Sequence, residues 1–315
     1  MGSGAGASRL VTGNHPLFAQ LEARLAALKG TEAACVFGSG YLANTGIIPT
    51  LVGRNDLVLV DALVHACIWD GARLSGATVV DFRHNDMAHV EQLLTDMRAK
   101  HRHVLIATDG VFSMDGDLAP LGELATLAAR FDAWLMSDDA HGLGVVGGGR
   151  GSTFATGHKV EVALQMGTLS KAVGGYGAYI CGSKPVIDFI RTRARTLIYS
   201  TGLPPAMVAA AIAALDVIEG DPALVARPVQ KAQSFTRQLN LPLAESPIVP
   251  VIIGDAVETL EASRVLAEEG FLVAPIRPPT VPAKTARLRV AFTAAHPDDE
   301  IRRLADVIQS RVLAR

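Results

Sequence analysis

Lys171 lies in a short segment of small and hydroxyl-bearing residues, Gly167 to Gly177, which follows the apolar run Val162 to Met166. A long amine held between hydroxyls and glycines is suited to form a Schiff base with an aldehyde cofactor. The hydroxyls of Thr168 and Ser170 could donate hydrogen bonds to a phosphate group on such a cofactor. Most lysines are solvated surface charges, so this segment alone leaves the surface interpretation open.

Asp138 and His141 follow a second apolar run, Ala133 to Ser137, which has the length and composition of a buried strand. Ligands of open α/β sheets bind beyond the carboxyl ends of the strands. An aspartate there can pair with a protonated pyridine nitrogen, and the histidine can touch the phenolic oxygen of the same ring. The alternative is a turn aspartate beside a satisfied polar histidine. Together with Lys171, these residues favour pyridoxal phosphate (PLP) as the cofactor.

A third candidate, Phe37 to Asn44, follows one predicted strand and opens a predicted helix. The first N–H groups of a helix and its positive dipole end suit a phosphate, and Gly40 allows a close approach of the backbone. The segment is therefore a candidate phosphate site. A plain strand–helix turn explains the same residues, because such turns are common in α/β folds.

The elements that would carry these residues alternate between residues 14 and 210. The apolar patterns predict strands at 33–37, 57–60, 78–80, 104–107, 133–136 and 162–166, and helices at 18–28, 87–98 and 121–130. This alternation predicts an α/β fold with a mainly parallel sheet. Farther along, the pattern predicts helices at 206–219, 257–269 and 297–312 and strands at 248–253 and 287–292. We therefore predict a large domain over residues 1–205 and a smaller α+β domain over 206–315.

Composition excludes several classes of function. The 315 residues are 49% hydrophobic and carry a net charge of −2 without a basic block, which argues against nucleic acid as a partner. No apolar run is long enough for a membrane span, and no basic-then-apolar leader follows Met1. Three widely spaced cysteines fit buried thiols in the cytoplasm, and no metal site is predicted. Gly142 to Gly147 matches a dinucleotide-binding pattern, but a glycine-rich loop follows it instead of a helix.

Seven segments together resemble the α-oxoamine synthases, PLP enzymes with the aspartate-aminotransferase fold. They are residues 4–13 (GAGASRLVTG), 37–44 (FGSGYLAN), 108–117 (TDGVFSMDGD), 138–144 (DDAHGLG), 168–175 (TLSKAVGG), 198–205 (IYSTGLPP) and 276–280 (IRPPT). They run through nearly the whole chain in the family's order. Members of the family carry a further N-terminal stretch before the first segment, so the resemblance implies a chain truncated at that end.

The resemblance implies a role for each matching residue. Lys171, His65, Asp138 and His141 would be catalytic. The cofactor would be bound by Ser39, Gly40, Tyr41, His65, Ser113, Asp138, His141, Thr168, Lys171, Ser200 and Thr201. Ser200 and Thr201 match residues that reach the phosphate of a neighbouring subunit, which implies a homodimer with shared sites. The substrate would be bound by His65, Arg277, Thr280 and Arg289, with Arg289 holding the amino-acid carboxylate. Arg287 is expected on a solvated strand face.

Within the family, the chain looks most like the members that serve biotin biosynthesis. They condense L-alanine with a pimeloyl thioester, of coenzyme A or of a carrier protein, and release CO2. Asp109 weakens this assignment, because many such members have glutamate there and ligases that join glycine to an acetyl group often have aspartate. Two alternatives therefore stay open: condensation of glycine with acetyl-CoA, and a truncated relative that binds PLP without turnover.

Overall fold

The computed structural model describes residues 3–314, which pack as two compact units. Of the described residues, the first unit comprises 3–111 and 119–222, and the second comprises 112–118 and 223–314. The predicted boundary at residue 205 differs from this division by one helix. That helix, Pro205–Gly220, packs against the helix Pro16–Lys29 of the first unit, and Arg24 Nη1 lies 2.7 Å from Asp216 Oδ1.

The first unit is an α/β structure with a mainly parallel sheet, as the sequence predicts, and this sheet has seven strands. Its strands are β1 (Ala33–Phe37), β2 (Leu57–Asp61), β3 (Thr78–Phe82), β4 (Val104–Asp109), β5 (Trp134–Asp138), β6 (Leu164–Thr168) and β7 (Ala178–Gly182). Their order in the sheet is β1-β7-β6-β5-β4-β2-β3, and only β7 runs antiparallel to its neighbours. The helices are α1 (Pro16–Lys29), α2 (Gly40–Leu51), α3 (Ala66–Ser75), α4 (Met87–Met97), α5 (Leu121–Arg130), α6 (Lys184–Arg193), α7 (Arg195–Ile198) and α8 (Pro205–Gly220).

The strand β7 is an element that the alternating pattern did not predict. It pairs with β6 in antiparallel register, from Leu164 opposite Gly182 to Thr168 opposite Ala178. A short connection can join only antiparallel neighbours, because a parallel pair needs a long crossover. The glycine-rich segment after Thr168 is such a connection, and it carries Lys171 at the carboxyl end of β6.

The helices α2 and α3 approach each other closely at Gly71. A Cβ atom on this glycine would lie 2.5 Å from the backbone oxygen of Asn44. Real Cβ atoms do not approach backbone so closely, so a larger residue at position 71 would force the helices apart. The glycine thus allows the middle of α3 to pack directly against the backbone of Asn44.

The second unit has a three-stranded antiparallel sheet in the order β8-β10-β9. Its elements are α9 (Pro222–Gln238), β8 (Ile248–Gly254), α10 (Ala256–Glu268), β9 (Ala274–Ile276), β10 (Ala286–Ala291) and α11 (Asp298–Val307), with a π-helical turn at Ile308–Leu313. The predicted terminal helix 297–312 is thus α-helical only to Val307. The core of this unit contains Phe235, Val251, Leu266, Leu288 and Leu304.

The three cysteines are buried, as the sequence predicts. Cys35, Cys67 and Cys181 are buried free thiols, and burial raises the pKa of each to about 12. Between residues 3 and 314, no group of three or more histidine, cysteine, aspartate or glutamate side chains could hold a metal ion. No helix in the same range combines the length and apolar composition needed to cross a bilayer.

Candidate active site

Polar residues end the parallel strands at one edge of the seven-stranded sheet. Asp61 ends β2, Asp109 ends β4, Asp138 ends β5 and Thr168 ends β6, and all four are buried. Asp109 and Asp138 stand directly opposite each other in the register of β4 and β5. This is the carboxyl edge, where ligands of such sheets bind.

Asp138 is buried, and both of its carboxylate oxygens are held by donors. Oδ2 accepts a hydrogen bond from Asn44 Nδ2 at 2.7 Å, and Oδ1 accepts one from Ala140 N at 3.0 Å. Burial raises the pKa of Asp138, while the Asn44 hydrogen bond and then the charge of Lys171 act against that shift. The positive charge of Lys171 therefore lies close enough to Asp138 to stabilise its ionised form.

Asp109 adds a second carboxyl group beside Asp138. Burial and then the charge of Asp138 hold the pKa of Asp109 well above its usual range. Two buried carboxyl groups side by side cannot both ionise without a cation. A protonated ring nitrogen would supply such a cation, so this donor set fits the pyridine end of PLP.

Asp139, next in the chain, is engaged elsewhere. Its Oδ2 lies 2.7 Å from Lys29 Nζ, and both side chains are almost fully buried, at 1% and 0% exposure. Lys29 Nζ also donates to the backbone oxygen of Arg150 at 2.6 Å, and Asp139 accepts from Ser152 N at 2.9 Å. Of the two adjacent aspartates, only Asp138 is therefore available for a ring nitrogen.

The glycine-rich loop after Asp139 closes around this ion pair. Gly151 has a φ of 98°, and a Cβ atom there would lie 1.6 Å from Asp139 Oδ2. The loop contains only short 3-10 turns at 147–149 and 152–154. Gly151 thus allows the backbone to turn closely around Asp139. Within the described residues, no long helix directly follows Gly142 to Gly147, as the sequence predicts.

His65 stands at the start of α3 as its N-terminal cap. Its Nδ1 accepts from the backbone N–H of Cys67 at 3.2 Å and lies 2.8 Å from Cys67 Sγ. The side chain is exposed, and the backbone N–H of His65 points at Asp109 Oδ1 at 3.4 Å. His65 therefore lies at the same edge as the two carboxyl groups.

The helix α2 brings its N-terminus to this edge as well. Ser39 caps it through Oγ, which accepts from Leu42 N at 3.2 Å, so the N–H groups of Gly40 and Tyr41 have no partner within the helix. A Cβ atom on Gly40 would approach Met166 Cε of β6 to 3.3 Å, close to the end of that strand. The side chain of Tyr41 donates to Asp70 Oδ2 at 2.7 Å, so its backbone N–H is the group that could reach a phosphate.

The loop that carries Lys171 is held by Thr168. The Thr168 hydroxyl donates to the backbone oxygen of Gly177 at 2.9 Å, accepts from Ser170 N at 3.2 Å and lies 2.7 Å from Ser170 Oγ. Lys171 itself is exposed, so burial is not what would activate it. The half-buried His141 follows Asp138 by three residues, as the motif requires.

Ser200 and Thr201 lie in the first unit beside the N-terminal segment. Thr201 forms a single antiparallel bridge with Ser8, and Gly202 N donates to the backbone oxygen of Ala7 at 3.0 Å. Ser200 is half-buried and Thr201 is exposed in the single chain. The exposure leaves the Thr201 side chain accessible to a second molecule.

The remaining candidates, Ser113, Arg277, Thr280 and Arg289, belong to the second unit. Arg289 is half-buried on β10, where burial lowers its pKa, and its Nε donates to the backbone oxygen of Ser113. Among residues 3–314, its two terminal nitrogens have no hydrogen bond or ion pair, so they could grip a carboxylate. Arg277 and Thr280 are exposed at the two ends of one turn, closed by a 3.1 Å bond from Thr280 N to Arg277 O.

The expectation for Arg287 was wrong. This arginine is buried, forms an ion pair with Asp115 and donates to the backbone oxygens of Met114 and Thr285 at 3.3 and 3.0 Å. The alternation along β10 placed it on the face opposite Leu288, but alternation cannot distinguish a solvated face from one covered by other parts of the chain.

Comparisons with known proteins agree with this arrangement. The sequence pattern of the family "Aminotransferase class I and II" matches residues 3–308. The chain belongs to this family. The proteins named 8-amino-7-oxononanoate synthase from Methylocella silvestris and Beijerinckia indica are 63% and 64% identical to it. These matches cover 99% and 98% of this chain, and 89% and 80% of the relatives. The predicted resemblance to α-oxoamine synthases is therefore confirmed.

Solved structures of the family share the fold. The serine palmitoyltransferase of Sphingomonas wittichii superposes with a TM-score of 0.95 at 32% identity, covering 100% of this chain and 80% of that one. An 8-amino-7-oxononanoate synthase from Francisella tularensis superposes with a TM-score of 0.82 at 28% identity, covering 95% and 88%. The predicted PLP-dependent transferase fold is confirmed.

Two residues at the edge of the sheet were not predicted as part of the site. Asn44 belongs to the segment 37–44, and it follows Gly40 by four residues, which places both on one face of α2. That spacing could have identified it. Lys29 carries no such signal, because 110 positions separate it from Asp139 and only the fold brings them together.

Proposed function

We propose that this chain is a PLP-dependent acyltransferase that condenses L-alanine with a pimeloyl thioester. The products would be 8-amino-7-oxononanoate, CO2 and a free thiol, a step of biotin biosynthesis. The observation that carries the PLP chemistry is the buried carboxylate of Asp138, held by Asn44 and stabilised by the charge of Lys171. The choice of substrates rests on near-full-length identity of 63–64% to proteins named for that product.

Most of the candidate cofactor residues would bind one of the two ends of the cofactor. Asp138 would hold the proton on the pyridine nitrogen, His65 would stack on the ring, and His141 would meet the phenolic oxygen. Ser39 and the N–H groups of Gly40 and Tyr41 would bind the phosphate at the start of α2. Ser113 and Thr168 would contribute further cofactor contacts. When bound, PLP binds the amino acid covalently and takes up the electron pair left on its α-carbon.

By their likeness to the matching α-oxoamine synthase residues, Lys171, Arg289, Arg277 and Thr280 would handle the substrates. Lys171 would hold PLP at rest and then move the proton at the α-carbon of alanine. Arg289 would bind the carboxylate of alanine through its two terminal nitrogens. This contact would determine which bond of the α-carbon faces the PLP ring. Arg277 and Thr280 would lie against the substrates.

Turnover of paired substrates tests this proposal. With PLP and L-alanine, pimeloyl-CoA should release free thiol and CO2 in equal amounts, and 8-amino-7-oxononanoate should appear by mass spectrometry. Glycine with acetyl-CoA, on the same protein, should be the slower pair by kcat/KM. Omission of alanine is the control for thioester hydrolysis.

Glycine with acetyl-CoA is the second candidate, and Asp109 is the residue that favours it. If that pair turns over faster than alanine with pimeloyl-CoA, the chain is a glycine acyltransferase and our substrate assignment is wrong. If PLP binds and neither pair reacts, the chain is a PLP-binding relative without turnover.

We also propose that the active form is a cytoplasmic homodimer. Gly40 and Tyr41 cover only part of a phosphate, and Ser200 and Thr201 of a second subunit would complete the binding site. PLP should then favour the dimer, so the dimer dissociation constant measured by sedimentation should fall when PLP is present. The variant Thr201→Val should weaken PLP binding in the dimer, whereas a monomer with full PLP affinity would contradict the shared site.

A further inference from the structure

Asn44 is a fully buried amide whose two N–H bonds both point at groups near the candidate site. Nδ2 lies 2.7 Å from Asp138 Oδ2 and 3.0 Å from Cys67 Sγ. Its Oδ1 is also buried and has no hydrogen-bond partner among residues 3–314. A buried acceptor without a partner costs free energy of folding. The two hydrogen bonds donated by Nδ2 must therefore offset the cost of leaving Oδ1 unpaired.

The orientation of this amide is fixed by Asp138. A thiol such as Cys67 can either donate or accept, and it would tolerate both orientations of Asn44. A carboxylate can only accept, so rotating the amide would bring Oδ1 against Asp138 Oδ2. Asp138 therefore determines that Nδ2 faces it, and the unpaired Oδ1 is the consequence.

The backbone around Asn44 is held as firmly as its side chain. Asn44 lies one helical turn after Gly40, so α2 links the phosphate-binding N-terminus to the carboxylate at the end of β5. Gly71, which has no Cβ atom, lets α3 pack closely against the Asn44 backbone oxygen of α2. The hydrogen bond to Asp138 is thus set by two packed helices.

We propose that Asn44 is a positioning residue for PLP, which orients Asp138 and keeps it ionised so that it can bind the pyridine nitrogen. This rests on the PLP site proposed above. Asp138 needs such support because its surroundings oppose ionisation in several ways.

The groups around Asp138 differ in their effect on its charge. Lys171 and His65 favour the ionised carboxylate. Asp109, Cys67 and Tyr179 are acidic groups near it, and the negative charge of Asp138 raises the pKa of each of them. Burial is the largest single influence on the pKa of Asp138 and raises it, and the Asn44 hydrogen bond is the next and lowers it.

The direction of the expected pH effect follows from these influences. Without Asn44, the pKa of Asp138 would rise further, so its charge would be lost at a higher pH. PLP affinity, which needs that charge, should therefore fall away at a higher pH in an Asn44 variant than in the wild type.

The test is PLP titration of the apoprotein from pH 5 to 9. Asn44→Leu keeps the branched shape and removes the donor. Its PLP dissociation constant should rise about tenfold or more at neutral pH, as when a hydrogen bond to a charged group is lost. The acid limb of the affinity profile should move upward relative to wild type. If the Asn44→Leu protein does not fold, the Asn44→Ala variant is used for the same titration.

Two controls separate positioning from packing. Cys67→Ala removes the other contact of the amide and should leave the acid limb at the wild-type pH. In an Asp138→Asn background, Asn44→Leu should cause no further loss of PLP affinity, because Asn44 acts through Asp138.

Each alternative outcome has a distinct meaning. Equal shifts in the Asn44 and Cys67 variants, or a uniform loss of affinity without a change in pH profile, would overturn the proposal. A wild-type protein that binds no PLP would instead overturn the proposed cofactor site itself.

Discussion

Replacing Lys171 by alanine should lower the turnover of alanine and pimeloyl thioester by about 10²–10⁴-fold or more, the usual contribution of a proton-transferring group. PLP should still bind, because the proposed contacts of Asp138 with the ring and of the start of α2 with the phosphate do not involve the lysine. The loss should therefore appear in kcat, while the PLP affinity falls only by the part that the covalent link contributes.

Chemical trapping identifies the same lysine directly. Borohydride reduction of the wild-type protein with PLP should fix the cofactor to one peptide, the peptide that contains Lys171, as seen by mass spectrometry. Lys184→Ala is the control, because Lys184 lies exposed on α6 and pairs with Asp188 there. That variant should be labelled and turn over as the wild type does. A label on another lysine, or full turnover in Lys171→Ala, would refute the assignment.

The second large effect is expected on stability, at the buried ion pair of Lys29 and Asp139. Lys29→Met leaves the Asp139 carboxylate buried without its cation and removes the donor to the Arg150 carbonyl. Breaking one side of a buried pair costs about 3–5 kcal/mol. In a chain of this size, that corresponds to a fall in Tm of about 6–20 °C.

A double variant and a surface control make this prediction specific. Lys29→Met with Asp139→Asn removes both charges and keeps an acceptor for Ser152 N, so much of the lost Tm should return. Lys184→Met removes an exposed lysine of an i,i+4 pair and should leave the Tm unchanged within error. A Lys29→Met protein that melts at the wild-type temperature would show that the charge of Asp139 is compensated by another group.

The charge of Asp139 should also affect PLP binding, because Asp139 is next to Asp138 in the chain. Its own cation and the closed loop keep the charge of Asp139 away from the pyridine-binding position. We therefore expect the double variant to bind PLP more tightly than Lys29→Met alone, in the same titration used for Asn44.

The amino-acid sequence by itself determined the α/β class, the positions of most strands along the chain and the positions of the chemical groups. Strand periodicity and composition are local properties, so β1 and β2 were predicted within one residue of their observed bounds. Asp138 and Lys171 were identified because each follows an apolar run at a point where parallel strands end. That information lies within a few neighbouring residues and needs no knowledge of the fold.

Tertiary structure alone decided the elements and contacts that depend on distant residues. The direction of β7 depended on pairing with both β1 and β6, and α8 joined the first unit because it packs on α1. Arg287 is buried and forms an ion pair with Asp115. Lys29 forms an ion pair with Asp139, which lies 110 positions away in the sequence. Residues so far apart can be recognised as partners only when the chain has folded, because the energy of each contact depends on burial that the sequence does not specify locally.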